Sequence, residues 1–410
     1  MYRVVSNITI IQKTQIKGAA VRNRTIFFDF VNEYKTTDSW RDLTNEGEVC
    51  VPKNLYVKNE LGKLVPLFGT NVNIGGFSNT NPLLMRGDKV IIDWGYRYFK
   101  GGREIFESTY DSKSNTHLFS GWISEVTSKK PIRFKIEDNM WKLKQIPAPI
   151  HTFSATDTLE DILVYLLKDY NKSQTEKENK FTVNMSTYTT GLGVFMVGNE
   201  TVCEVLARLR KQFHFESYFK GNELRSGSTI YIESEAKKHT FTFQQNIISD
   251  DLTYKRREDL VLSIVASNKI EEETGKLTKD GKAKTKCTRL EVLLTLQNGS
   301  DEPTKFIKTK GVDYPPNTGG ERMTMQYPSA KSIDELVILA TKELKKYYYT
   351  GFKGKFITFG IPFTRMGDNV QLVDNKLPER NGLYKVRSVE YSGGFSGLRQ
   401  VIELDYLILT

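Results

Sequence analysis

A chain of 410 residues is too long for one ordinary core, so about two to four domains are expected. Apolar and charged fractions are those of a folded protein, and 20 Tyr with 23 Phe raise the aromatic content, which favours strands and interfaces. The net charge of +10 is compatible with nucleic acid or an anionic surface, but Lys and Arg are scattered; the nearest basic run, 276–286, has no interleaved aromatics and reads as a solvated hairpin tip.

Three cysteines, Cys50, Cys203 and Cys287, lie far apart and cannot complete a disulfide framework, so all three are expected to be reduced and structural. The first 15 residues lack a continuous apolar core and a small-residue cleavage site, so no signal peptide is expected. No apolar run approaches the roughly 18 residues of a membrane span.

Residues 1–150 read as strands. Short β-favourable runs at 8–11, 25–31 and 55–57 are separated by Gly-, Asn- and Pro-rich stretches such as Gly75-Gly76 and 79–82. Val90, Ile92 and Trp94 then share one face at period two, and 118–126 is a further strand in which Gly121 predicts a bulge or tight bend. Ile132, Phe134 and Ile136 alternate strictly with Arg133, Lys135 and Glu137, the pattern of a half-buried strand.

Near residue 150 the period changes. Leu159, Ile162, Leu163, Leu166, Leu167 and Tyr170 recur at helical spacing behind Asp157 and Glu160, which predict the N-terminal cap. A second helix carries Val202, Val205, Leu206, Leu209 and Phe213 on one stripe, with Thr201 and Glu204 as its cap. A strand at 215–219, a Lys220-Gly221-Asn222 turn and a strand at 230–232 complete a small α+β insertion. Two long β-favourable runs, 260–270 and 287–297, predict a hairpin, and 298–330 reads as irregular. A third helix starts at Ser332 with Glu335 as capping partner, carries Ile333, Leu336, Val337, Ala340 and Leu344, and ends in basic residues that suit its dipole. Strands at 356–359, 370–373, 384–391 and 401–409 close the chain.

One strand pattern occurs twice. Arg86-Gly87-Asp88-Lys89-Val90 matches Met366-Gly367-Asp368-Asn369-Val370, and each leads into a short apolar strand. Gly121 and Gly382 each precede a run ending in Val126 or Val389, and each half closes on an alternating strand with an acidic residue, 134–138 (FKIED) and 402–405 (IELD). Glycine supplies φ > 0 in such a turn and the neighbouring Asp can bond the turn backbone. The fold class expected is α+β, mainly β: two similar antiparallel β-barrel domains with smaller α+β insertions. The first barrel takes 1–150, completed by strands around 236–255, and the first insertion takes 151–235. The second barrel takes 256–300 and 350–410, with 301–349 as an irregular loop plus helix.

Taken in order, four stretches resemble a known family. They are Gly87-Asp88 through Trp94 with 118–123 and 136–138; 201–213 with the 219–224 hairpin; 251–259; and 332–344 with 351–354, Gly367-Asp368, Pro378-Glu379, Gly382-Leu383-Tyr384 and Arg399-Gln400. Together they are similar to the central baseplate hub of contractile phage tails and related injection machines. That family includes the late control protein D type and the N-terminal half of type VI secretion spike proteins. The resemblance covers roughly 80–410; the first 80 residues match poorly. It implies a homotrimer whose six barrels form a pseudo-sixfold ring, joining a hexameric tail tube or tube initiator to a trimeric spike, with other baseplate proteins around it. It also implies location in the virion tail and assembly in the host cytoplasm; a basic lumen lined by residues such as Arg133 and Lys135 could pass DNA. The same hub in a bacterial contractile injection or type VI-like secretion system is the first alternative.

Nothing in the residues points to chemistry. His117, His151, His214 and His239 are isolated, with no metal-ligand spacing, no phosphate-cradling loop and no nucleophile elbow, so no catalytic residue, cofactor or metal is assigned. Glu137-Asp138, at a strand end, and Asp250-Asp251, read as loop, are the carboxylate pairs a tail-associated cell-wall hydrolase would need. A DNA-binding β protein is a third reading; Arg133 and Lys135 could face solvent or line a basic lumen. Trp94, Trp122 and Trp141 cluster in the first barrel as core, or as an interface anchor.

Overall fold

The computed structural model describes residues 2–12, 24–28, 31–52, 56–58, 64–66, 84–105, 117–127, 131–154, 157–185, 192, 194–227, 233–277, 283–309, 311–317, 320–327 and 330–408. The chain is mainly β, with antiparallel sheets and four α-helices among these residues. It divides into two compact units, each discontinuous in sequence. The first comprises Met1–Lys142, Ile357–Arg365 and Ser388–Ile402; the second comprises Leu143–Phe356, Met366–Arg387 and Glu403–Thr410. The expected strands at 230–232 and the Gly75-Gly76 and 79–82 linkers lie outside the described residues, as does the centre of the basic run at 276–286.

In the first unit the strand neighbours run from the end of Gly382–Gly394 through Glu33–Ser39, Glu46–Cys50, Arg133–Glu137, His117–Val126, Lys89–Lys100 and Tyr2–Gln12 to Arg24–Phe28. Alternation decides which face is buried. Ile8, Ile10, Val49, Val90, Ile92, Ile123, Phe134 and Ile136 all point inward, and each such side chain contributes roughly 1.5–3 kcal/mol on burial. Trp94 joins this core edge-on to Phe363 and Tyr391, at centroid distances of 5.3 and 5.4 Å. It is therefore separate from the other two expected tryptophans.

Gly121 has a different role from the one its position suggested. The register shifts on its strand fall between Ile92 and Asp93 of one neighbour and between Lys135 and Ile136 of the other, not at Gly121. A Cβ at Gly121 would stand 2.1 Å from the Glu137 carbonyl oxygen. The glycine is required by close approach of the neighbouring strand.

In the second unit the run is Ile247–Lys255, the start of Gly351–Phe359, the end of Arg399–Leu407, the start of Gly382–Gly394, Asn369–Val373 and Lys238–Thr242. The last pair is parallel, where the corresponding pair of the first unit, Tyr2–Gln12 with Lys89–Lys100, is antiparallel. The 262–296 hairpin, expected in the second barrel, hydrogen-bonds elsewhere. Leu262–Leu277 and Ala283–Leu296 are the centre of a four-stranded sheet with Thr304–Ile307 and Glu321–Gln326 at its edges. That sheet packs on helix Ile333–Tyr347 through Ile264, Ala266, Leu294, Leu336, Ala340 and Leu344. The two edge strands correct the expectation of an irregular 298–330; Met323 and Met325 alternate onto the core, too sparse a signal to stand out in sequence.

The insertion holds helices Leu159–Ser173 and Val202–Phe213, with the sheet Thr182–Asn184, Glu223–Gly227 and Glu216–Lys220. The cap of the first helix is displaced by one residue from the expected pair. Thr158 accepts from the Asp161 N–H and Asp161 accepts from the Thr158 N–H. Asp157 is occupied one step earlier, accepting from the Ser154 N–H and hydroxyl. The Thr201–Glu204 box forms as expected. At Ser332 only half the box forms: its hydroxyl accepts from the Glu335 N–H, while Glu335 takes the Lys331 N–H.

Candidate assembly surfaces

The doubled turn is the most informative local feature. Gly87 (φ +91°) and Gly367 (φ +85°) both occupy the left-handed region. The Gly87 N–H donates to Ile123 O (2.8 Å) and the Ile123 N–H to Asp88 O (2.9 Å). The Gly367 N–H donates to Val386 O (3.0 Å) and the Val386 N–H to Asp368 O (2.9 Å). Each Asp carboxylate then pins a neighbouring segment. Asp88 accepts from the Met85 N–H (2.9 Å) and from Gln12 Nε2 (2.5 Å); Asp368 accepts from the Lys237 N–H (3.0 Å) and lies 3.0 Å from His239 Nε2.

This register sharpens the sequence match. Val126 and Val389 each stand three residues beyond Ile123 and Val386, so they correspond. Gly121 stands two residues before Ile123 but Gly382 four before Val386, so the glycines do not. Nor are the acidic residues of the third strands equivalent. Asp138 accepts from the Asn45 N–H (3.2 Å) and the Met140 N–H (2.9 Å), whereas Asp405 accepts from Arg387 Nε (3.0 Å) and Nη2 (2.6 Å).

The outward face of the first unit carries an ion-pair ladder. Arg133 reaches Glu33 (2.7 Å) and Glu48 (2.5 Å), Lys135 reaches Glu125 (2.8 Å), and Lys35 reaches Glu390 (2.8 Å). Donating hydrogen bonds to the Glu48 and Glu33 carboxylates holds the Arg133 guanidinium above its ordinary pKa. Arg133 and Lys135 thus bring no uncompensated positive charge to this face. Exposed pairs of this kind contribute little stability.

A different arrangement lies beside the Gly87 turn. Lys89 stands opposite Trp122 across a strand pair, and Asp138 starts the short helix Met140–Leu143 that carries Trp141 and Lys142. Trp122 Nε1 donates to Asn139 Oδ1 (3.0 Å), and the two indoles stack with centroids 6.1 Å apart. Three cations converge on them. Lys142 Nζ lies 3.9 Å from the Trp122 centroid, Lys89 Nζ 6.0 Å from the same ring, and the Arg86 guanidinium 5.8 Å from Trp141. Burial, and Lys89 nearby, lower the Lys142 pKa. Among the described residues none of these three cations has a carboxylate partner. Sequence reasoning singled out the tryptophans, and Arg86 and Lys89 only as part of the repeated turn; it missed Lys142, which reaches the cluster only through the fold.

Among the described residues, strand Ile247–Lys255 pairs along one side only, with Gly351–Phe359, and none of its nine residues is buried. Ile248 and Tyr254 are 44% and 46% exposed. Asp250 and Asp251 lie in this strand rather than in a loop, and among the described residues neither forms an ion pair. At its end Lys255 donates to Tyr347 O (3.0 Å), the last helical carbonyl, and lies 3.7 Å from the Tyr349 centroid. Burial lowers its pKa to about 8. In the first unit the 394–397 turn presents Phe395, 87% exposed, while its N–H is fixed to Asn32 O (2.9 Å).

For chemistry the geometry offers little. Among the described residues no three His, Cys, Asp or Glu side chains are placed to hold a metal ion. Asp138 is committed to backbone N–H groups beside Glu137, and Asp250 and Asp251 are adjacent on an exposed strand. His117 and His239 pair with Asp93 and Asp368, His151 stacks on Tyr165, and His214 ends a helix in the left-handed conformation. Cys50 and Cys203 are buried and lie outside any disulfide. No described helix is long and apolar enough to cross a membrane.

The sequence matches no family model and no curated protein. The fold does find relatives. The chain is similar to the 43 kDa tail protein of prophage MuSo2 from Shewanella oneidensis, with a TM-score of 0.50, 11% identity and 98% of each chain covered. It is also similar to a tail protein from Neisseria meningitidis MC58, with a TM-score of 0.52, 11% identity, and 98% of this chain and 96% of that one covered. At such identity the likeness is one of fold, and it extends over the whole chain.

Proposed function

We propose that the chain is the central hub of a contractile-tail baseplate, structural rather than catalytic. In this reading it is a homotrimer. Each subunit contributes two similar barrel domains, centred on Gly87-Asp88 and Gly367-Asp368, with 151–235 and the 301–349 region as insertions. Three subunits present six similar units, and a cyclic trimer closes without open ends. The ring would match a hexameric tail tube or tube initiator on one side and a trimeric spike on the other, among other baseplate proteins. Its place would be the virion tail, assembled in the host cytoplasm. DNA would pass through the ring lumen, and the paired state of Arg133 and Lys135 favours passage without retention.

One observation carries the proposal: the same turn-and-strand hydrogen bonds occur once in each unit, at Gly87, Asp88 and Ile123 and at Gly367, Asp368 and Val386. Whole-chain likeness of fold to two tail proteins supports it. Axial electron-microscopy views of the purified chain test it. Rings with six similar densities are expected; isolated bilobed particles at all concentrations contradict it. A peptidoglycan zymogram separates the structural reading from a wall hydrolase, and no clearing is expected.

A further inference from the structure

We infer that neighbouring copies of the chain meet by seating the acidic edge strand Ile247–Lys255 of one against the cation–indole patch of Arg86, Lys89, Lys142, Trp122 and Trp141 of the next. This rests on the trimeric reading above and names its interface.

Among the described residues both surfaces carry charge that the chain does not itself match, unlike the ladder of the first unit, where each cation has its carboxylate. Among the described residues Arg86, Lys89 and Lys142 have no carboxylate partner, and neither Asp250 nor Asp251 has a cation. The two sets are opposite in sign and similar in number. Their apolar parts also match: two stacked indoles on one side, and exposed Ile248 and Tyr254 on the other. Aromatic residues with arginine beside them are the composition of interface anchors.

The topology favours a second copy over an unrelated partner. Among the described residues Ile247–Lys255 is an open sheet edge, and an exposed edge strand without a partner is a template for association. One surface lies in each unit, so the contact is heterologous: every copy offers both halves, and the contact repeats head to tail until a ring closes. Opposite unpaired charges also fix the order of the units around the ring, because like surfaces repel.

Charge exchange in the full chain tests this. Arg86→Glu with Lys89→Glu, and separately Asp250→Lys with Asp251→Lys, should each weaken trimerisation at least about tenfold, as read by light scattering over a dilution series. All four changes together should restore it to within about threefold of the unmodified chain. Milder neutral pairs, Asp250→Asn with Asp251→Asn and Arg86→Gln with Lys89→Gln, give the same ranking where a reversal impairs folding. Trimers undisturbed by either reversal, or no recovery in the combination, overturn the inference while leaving the trimer intact. An unmodified chain that is monomeric at every concentration removes the trimeric reading and this interface with it. Aggregation on neutralising Asp250 and Asp251, with the trimer unchanged, would make them guards of a free edge instead. DNA binding lost on reversal of Arg86 and Lys89, with mass unaffected, would assign the patch to nucleic acid and overturn the subunit contact.

Discussion

Asp88 and Asp368 show how much a single buried carboxylate can organise. Each follows a left-handed glycine, and each holds a segment distant in sequence. The glycines are required in both places, since other residues pay about 1–2 kcal/mol for that conformation. Gly87→Ala should therefore lower stability by about 1–2 kcal/mol, with its new methyl 3.3 Å from the Trp141 ring, and Gly367→Ala should do the same in the second unit. Denaturant midpoints check both. Lys255 provides a pH test. Its folded pKa of about 8 lies below its ordinary 10.5 because of burial, so between these values the unfolded chain binds more protons. The cost of charging it is fully present below pH 8 and fades as the pH rises towards 10.5. Compared with Lys255→Met, the unmodified chain should gain relative stability from pH 7 to pH 10, and parallel stability curves would contradict this assignment.

Helix termini mark where sequence is legible and where it stops. The Thr201–Glu204 box was readable because one capping residue and one acid stand at the right spacing with no competitor. At 157–161 two overlapping candidates exist, and the choice depends on Ser154, whose N–H and hydroxyl take the Asp157 carboxylate. Thr158→Ala should cost about 1 kcal/mol, and Asp157→Ala less, as measured by thermal unfolding. Strands followed the same logic. Alternation located 133–137 and the 90–94 part of Lys89–Lys100, while Thr304–Ile307 and Glu321–Gln326 are short, polar edge strands whose identity comes from their neighbours. Period two also could not tell that Arg133 and Lys135 would meet carboxylates, because Glu33 and Glu48 arrive from other strands.

For the whole molecule, the repeat was visible as a short turn motif followed by strands in the same order. The structure adds the bonds that make the two copies comparable, and it places the long hairpin in a separate four-stranded sheet packed on helix Ile333–Tyr347. The cation–indole patch was only partly legible: Arg86 and Lys89 sit in the repeated motif, but Lys142 joins them through strand register and a short helix. Two comparable units in one chain have a clear purpose if three chains surround an axis. Native mass in solution over a range of concentrations, alone and with the cognate spike, tests that claim most directly. A mass three times that of the chain, alone or once the spike is added, is the predicted result, and a monomer that never trimerises even with the spike present would contradict it.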